Sequence, residues 1–236
     1  MADRTHHIIS LSFDDGFLRS CQRIAKAYER FGLSACFNVT ATGSMGGDQY
    51  DAVPKGDWAF WNEMVARGHE VMPHGYDHSN KAGIPFEQAK GLIERCLGVF
   101  DEKLVSFRRK SAVFNFPFNR TTPELEAWLP SVVRAFRGGC GDGPRTGINP
   151  LPSPRTTAIR TTGFGPGRCE DHLDQHVDLL LGGPPAWLVY NLHGLDDEGW
   201  GPIRAEYLQR LLERLVKVPS ITILPVGRAL PMRENR

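Results

Sequence analysis

Two neighbouring carboxylates, Asp14 and Asp15, close the apolar run HIISLSF and are followed at once by Gly16. Adjacent side chains on a strand point to opposite faces, so a sharp turn at a flexible glycine is what would let both carboxylates enter one site. Taken alone, the DDG triplet serves equally well as a turn or as the cap of a following helix. His74 and His78, four residues apart just past the short run HEVM, form the second pair. In a helical turn that spacing sets two imidazoles on one side, where they can share a cation at about 2.0–2.1 Å. The spacing itself is cheap: His172 and His176 repeat it, and there it reads as one face of an amphipathic helix. Position distinguishes His74 and His78, which follow a strand end with Gly75 between them. Together with Asp15 they make a set of two nitrogens and one carboxylate. Such a set leaves positions open for water and a substrate oxygen, as catalytic metal sites do and structural ones do not. The expected cofactor is one divalent ion, Zn²⁺ first, with Co²⁺, Ni²⁺, Fe²⁺ and Mn²⁺ compatible. His193, at the end of the run AWLVYNL and before Gly194, is a candidate proton donor. The loop behind it, LDDEGWGP, adds Asp196, Asp197 and Glu198, which could orient the ring. It also adds Trp200, whose indole could floor a sugar site.

These groups need strand ends to hold them. Apolar runs near 7–13, 34–40, 69–72, 111–116, 131–136, 157–162, 186–192 and 220–225 have the length and the β-branched or aromatic content of buried strands. Between them, segments 18–31, 58–67, 86–102, 122–129, 170–181 and 204–217 pair an apolar stripe with charged positions, the helical pattern. Alternation of the two implies parallel strands joined by right-handed crossovers, with functional groups gathered at the carboxyl ends of the strands. The expected fold is α/β: one domain over residues 1–236, a distorted or incomplete (β/α) barrel of about seven to eight parallel strands. Gly- and Pro-rich stretches at 41–57 and 137–155 read as loops, long enough to shape a substrate cleft.

In their order along the chain, SFDDG, RGHEVMPHGYDH, FPF and LHG resemble the motif series of polysaccharide deacetylases, metal enzymes that remove acetyl groups from amino sugars. The second stretch follows the pattern G-H-E-[IV]-x-x-H-[ST]-x-x-H, departing at Gly75, where Ser or Thr is usual. The resemblance implies that Asp14 is the base, that Asp15, His74 and His78 bind the metal, and that His193 is the acid. LHG matches the L-x-H motif loosely, because Leu192 directly precedes His193. The third motif departs most. Where R-x-P-[YF]-G is usual, this chain has Asn115, Phe116, Pro117, Phe118 and Asn119. Asn115 can donate a hydrogen bond to Asp14 but carries no charge, so it would lower that carboxyl's pKa less than an arginine. Pro117 and the backbone at Phe118 fall where the family holds the oxyanion. No secure counterpart exists for the Asp that braces the acid histidine; Asp142, Glu170 and Asp171 are the candidates. Arg160 could point into the barrel and take over either missing role, or snorkel to the surface.

Composition narrows the partners. The 28 Lys and Arg nearly cancel the 27 Asp and Glu, leaving a formal +1, so no broad field draws nucleic acid or an anionic membrane. MADRTHHIIS has no apolar stretch of signal-peptide length, and no segment approaches the ~20 apolar residues that cross a bilayer. A cytoplasmic location without membrane insertion is expected. The five cysteines, Cys21, Cys36, Cys96, Cys140 and Cys169, are odd in number, scattered and without a C-x-x-C pair, which fits reduced thiols. The expected partner is a carbohydrate or a small acylated substrate; oligomeric state leaves no trace in the sequence. The function implied by the resemblance is a metal-dependent hydrolase that removes an acetyl or other small acyl group from an amino sugar or saccharide. An amidohydrolase or deformylase of a small amide or ureide is one alternative. A non-catalytic sugar-binding relative, suggested by the missing arginine and by the unplaced carboxylate that would brace the acid histidine, is another.

Overall fold

The computed structural model describes residues 6–138 and 146–231. Its strands are β1 (His7–Phe13), β2 (Cys36–Val39), β3 (Glu70–Pro73), β4 (Val113–Asn115), β5 (Ala135–Gly138), β6 (Ile148–Asn149), β7 (Ala158–Arg160), β8 (Trp187–Leu192) and β9 (Ile221–Ile223). Between and after them run α1 (Leu18–Glu29), α2 (Trp58–Ala66), α3 (Phe86–Lys103), α4 (Pro123–Trp128), α5 (Cys169–Leu181), α6 (Ala205–Val216) and α7 (Val226–Ala229). β1 is a continuous apolar run buried almost throughout, as a strand covered on both faces must be. It pairs in parallel with β2, β8 and, near its start, β9, while β3 extends the sheet beyond β2. The two-residue β6 lies antiparallel on the far side of β8. β4, β5 and β7 form a second, parallel sheet.

Two seams separate these sheets. Between β3 and β4 the link is made by single bonds: His74 Nδ1 to the Asn115 carbonyl at 3.0 Å, and Asn115 Nδ2 to the Pro73 carbonyl at 3.3 Å. Past β7, one parallel bridge joins Thr162 to Tyr190. The architecture is the expected α/β one, a mostly parallel and distorted barrel whose ladder is interrupted at both seams. All eight expected strands and all six expected helices are present. The additions are β6 and α7, both too short to leave a periodicity. The fifth strand starts four positions later than its apolar stretch begins, because Leu129–Ser131 is a 3₁₀ turn.

The helices cover the sheets through amphipathic stripes. α1 buries Ser20, Cys21, Ile24, Ala25 and Tyr28, the i, i+3, i+4 pattern of one face. α6 does the same with Tyr207, Leu208, Leu211, Leu212 and Leu215, each large apolar side chain contributing roughly 1.5–3 kcal/mol by leaving water. Asp57 and Thr122 cap α2 and α4 by accepting from Phe60 N and Leu125 N, which satisfies backbone donors that the first turn leaves free. The four described cysteines are buried and free. Among the described residues no helix is long and apolar enough to cross a membrane.

Candidate metal centre and active site

At the end of β1 the chain reverses. Asp15 takes φ +72° and Gly16 φ +74°, and a Cβ at Gly16 would stand 2.9 Å from Trp61 Cζ2 and 3.1 Å from Val39 Cγ1. Only glycine combines that left-handed backbone with so close an approach. The reversal brings both carboxylates into one site. Asp14 N is fixed by the Leu192 carbonyl at 2.8 Å, so β8 sets the height of the turn.

Gly75, at φ +98°, opens the corresponding turn after β3. A Cβ there would meet the Asp77 carbonyl at 2.7 Å and Pro117 Cγ at 3.3 Å, which explains why this chain lacks the Ser or Thr otherwise usual at the position. The turn presents His74 Nε2 and His78 Nε2 at 3.5 and 3.4 Å from Asp15 Oδ1. Those separations suit a cation bonding each atom at about 2.0–2.1 Å. Asp15 Oδ1 is buried and has no hydrogen-bond partner in the protein, a costly arrangement unless a cation completes it. Burial pushes the Asp15 carboxyl up, but the His74 ring standing beside it and the charges of His193, His74 and His78 outweigh it and hold the group well below the usual carboxylate range. Burial, then the neighbouring His74, lowers His78 to about 4, so its ring is the neutral ligand form. Asp15, His74 and His78 are the metal-capable cluster among the described residues, and in donor type and spacing they fit one divalent ion.

Asp14 is held by three donors from three strands. Asn38 Nδ2 reaches Oδ1 at 2.7 Å, Asn191 Nδ2 reaches Oδ2 at 2.7 Å, and Arg137 Nη2 reaches Oδ2 at 2.5 Å. Burial raises the Asp14 carboxyl, and the charges of Arg137, His74 and His193 with the Arg137 hydrogen bond reverse this and lower it. Arg137 is fully buried and also donates to Ser12 Oγ at 3.2 Å.

Asn115 does not reach Asp14. Its amide donates to the carbonyls of Pro73 and Val113, and its own carbonyl receives His74 Nδ1, the outer partner that fixes a ligand imidazole's orientation. The arginine comes instead from the next strand, where Arg137 is the register partner of Asn115. Register partners on parallel strands project to the same side, so Arg137 meets Asp14 from a place beside the usual one. Arg160 is exposed and fills neither role. The sequence signal for Arg137 was its position at the end of an apolar run, obscured by Gly138 and Gly139. Asn38 and Asn191 carried a different signal, a lone amide inside an apolar strand.

His193 lies past β8 with its ring edge-on to Trp200, centroids 5.2 Å apart. No acid braces it among the described residues. Asp196 pairs with Arg23, Asp197 with Arg19, and Glu198 accepts from Ser20 N and Oγ. Glu170 and Asp171 are tied to Arg204 and Arg168, and Asp142 lies outside the described residues. Leu192 is core rather than lining: its side chain is buried, and its carbonyl is what positions Asp14. Pro117 is buried against the Gly75 turn, whereas Phe118, at φ +58° and largely exposed, packs its ring 4.6 Å from that of His78. His172 and His176 stay on α5; His172 Nδ1 meets the Tyr190 hydroxyl at 2.7 Å.

Asp14, Asp15, His74, His78 and His193 all border one cavity of about 520 Å³, within the size range of small-molecule sites. Met45, Asp48 and Tyr50 from loop 41–57, Phe118 and Arg120 after β4, and Trp200 close its sides. The other expected cleft loop, 137–155, lines none of this cavity with its described residues, Arg137 standing behind Asp14 on β5; its residues 139–145 lie outside the described part.

The fold is shared with solved structures at low identity. The family 4 acetyl xylan esterase of Clostridium thermocellum, in complex with a cobalt ion, is 19% identical, with a TM-score of 0.60 over 95% of this chain and 93% of that one. The peptidoglycan N-acetylglucosamine deacetylase Bc1960 is 13% identical, with a TM-score of 0.64 over 99% and 92%. Puue allantoinase is 14% identical, with a TM-score of 0.67 over 97% and 91%. No curated protein sequence matches the chain. The polysaccharide deacetylase family model matches residues 2–132, a span that holds both the DDG turn and the two histidines of the cluster, His74 and His78. On that match the chain belongs to the polysaccharide deacetylase family, a family of hydrolases.

Proposed function

We propose that the protein is a metal-dependent deacylase that removes an acetyl or other small acyl group from an amino sugar or saccharide. One observation carries this reading: an unpartnered, buried Asp15 oxygen faces two imidazole nitrogens, with a second carboxylate and a third histidine on the same cavity. Asp15, His74 and His78 would hold a divalent ion, Zn²⁺ by preference, which when bound would acidify a water molecule and polarise the acyl carbonyl. Asp14, kept ionised by Arg137 and two asparagine amides, accepts the proton that the attacking water loses. The water oxygen bonds to the acyl carbon, and the C–N or C–O bond to the sugar breaks. His193 donates a proton to the departing amine or alkoxide. On this reading a backbone N–H near Phe118 holds the developing oxyanion, a contact typically worth about 2.7–4 kcal/mol. Trp200 and Phe118 offer apolar faces of the kind that pack against sugar rings.

Arg137 answers one of the two grounds for a non-catalytic reading, since the charge missing from position 115 is present beside Asp14. The test is a pair of variants. Asp14→Asn should abolish acetate release while keeping its metal, and His74→Ala should lose both; full activity in either overturns the scheme. Assaying acetate, formate and ammonia from N-acetyl sugars, formamides and cyclic ureides identifies the substrate class. Acetate from an amino sugar supports the proposal, and turnover confined to ureides refutes it.

A further inference from the structure

Lys81 is a lysine with no exposed surface, three residues beyond His78, and nothing in the chemistry above uses it. Its ammonium lies within reach of four oxygens: Ser79 Oγ at 2.6 Å, Asp77 Oδ1 and the Ser79 carbonyl at 3.1 Å, and the Asp77 carbonyl at 3.4 Å. All four belong to the residues immediately before and after His78. Asp77 Oδ1 also accepts from Ser79 N and Oγ, so the two flanks are tied to each other as well. The ammonium sits beneath the turn, 3.6 Å from where a Cβ of Gly75 would stand.

A second observation concerns His78 itself. A ligand histidine ordinarily donates its other ring nitrogen to a fixed acceptor, which sets ring orientation. His74 does this with the Asn115 carbonyl. His78 does not: its Nδ1 is buried and without a partner among the described residues, and its ring packs against the exposed Phe118 and the neighbouring His74. Its aim must therefore come from its backbone.

We propose that Lys81 is a positioning residue for the metal centre: its buried ammonium locks the backbone on both sides of His78 and so aims His78 Nε2 at Asp15 Oδ1. This rests on reading Asp15, His74 and His78 as the cation site. Loss of an outer partner of a ligand typically costs about 10–100-fold in metal affinity, and Lys81 stands in that role for His78.

The experiment is titration of the chelator-stripped full-length protein with Co²⁺, in competition with a chromophoric chelator, alongside the cobalt absorption spectrum. Lys81→Met should remain folded by circular dichroism, bind Co²⁺ roughly 10–100-fold more weakly than wild type and show an altered spectrum. Ser79→Ala, which removes the shortest contact and keeps the ammonium, should fall between the two. A purely structural lysine would lower the thermal midpoint of the metal-free protein and leave Co²⁺ affinity and spectrum unchanged; that result overturns the proposal. Should Lys81→Met fail to fold, wild-type affinity in Ser79→Ala overturns it. Absence of stoichiometric Co²⁺ uptake by the wild type would refute the metal reading itself, an outcome separate from equal binding by wild type and variants.

Discussion

Replacing Arg137 with methionine leaves a side chain of similar length in place and removes the charge that faces Asp14 together with the hydrogen bonds to Asp14 and Ser12. Asp14 is 3% exposed and Arg137 fully buried, so water cannot stand in for the lost guanidinium. Two neutral donors remain, the amides of Asn38 and Asn191, each at 2.7 Å. Breaking a buried pair from one side costs about 3–5 kcal/mol. The retained amides place the expected loss at the lower end, about 3 kcal/mol at pH 7, or roughly two pKa units on the Asp14 carboxyl at 1.36 kcal/mol each. The sign follows from linkage. In the wild type the folded-state value lies below the ordinary 3.8, so the contribution of Asp14 is present above that pH and disappears as pH falls through the depressed folded value. In Arg137→Met the folded value rises, the ionised form becomes the disfavoured one, and the penalty is largest where the carboxyl is fully charged. Urea unfolding of metal-stripped wild type and variant at pH 7 and near pH 4 should show a gap that narrows markedly at the lower pH. A gap below about 1 kcal/mol at pH 7, or one that does not change with pH, would refute the role assigned to Arg137.

Gly75→Ala should destabilise by about 1–3 kcal/mol in urea unfolding, because its Cβ would strike the Asp77 carbonyl at a backbone φ of +98°; a loss within ±0.5 kcal/mol would show that the turn yields. Glu70 is buried where it receives the N–H groups of Gly227 and Arg228, and burial raises its carboxyl above 4.5 against those bonds. Its contribution is therefore full below pH 4.5 and declines as pH rises through the folded value, so Glu70→Gln should gain on wild type across that rise; a constant offset in urea midpoints would contradict it. Glu198→Ala removes the acceptor for Ser20 N and Oγ at the start of α1, costing about 1–2 kcal/mol in thermal unfolding. Because the same loop carries Trp200, KM should rise more than kcat falls, and an unchanged KM would separate the cap from the substrate wall.

What could be read in advance divides by distance along the chain. The eight strands and six helices announce themselves through local apolar periodicity, and DDG and H-x-x-x-H through spacings of one and four residues. The surroundings of Asp14 do not. Its donors lie 24, 123 and 177 residues away on separate strands, and only the pairing register puts them together. Arg137 shows the limit well: in one dimension it belongs to a Gly-rich stretch, and in three it is the neighbour of Asn115. The expectation that Asn115 would hold Asp14 failed for the same reason, since its amide is spent on the Pro73 carbonyl across the β3–β4 seam and on the Val113 carbonyl of its own strand.

Those long separations also bear on how the molecule comes into being. Asp14 and Asn38 can meet as soon as β1 and β2 pair, but closing a loop of 123 residues to Arg137 and of 177 to Asn191 carries entropy that only the docked second sheet and β8 can offset. Contacts of such high sequence separation form late and slow the overall rate. A growing or refolding chain therefore carries an uncompensated carboxylate in its earliest strand until the second sheet brings Arg137 to it. The step that docks the two sheets is the same step that neutralises this buried charge, so hydrolytic competence and docking should appear together in refolding kinetics.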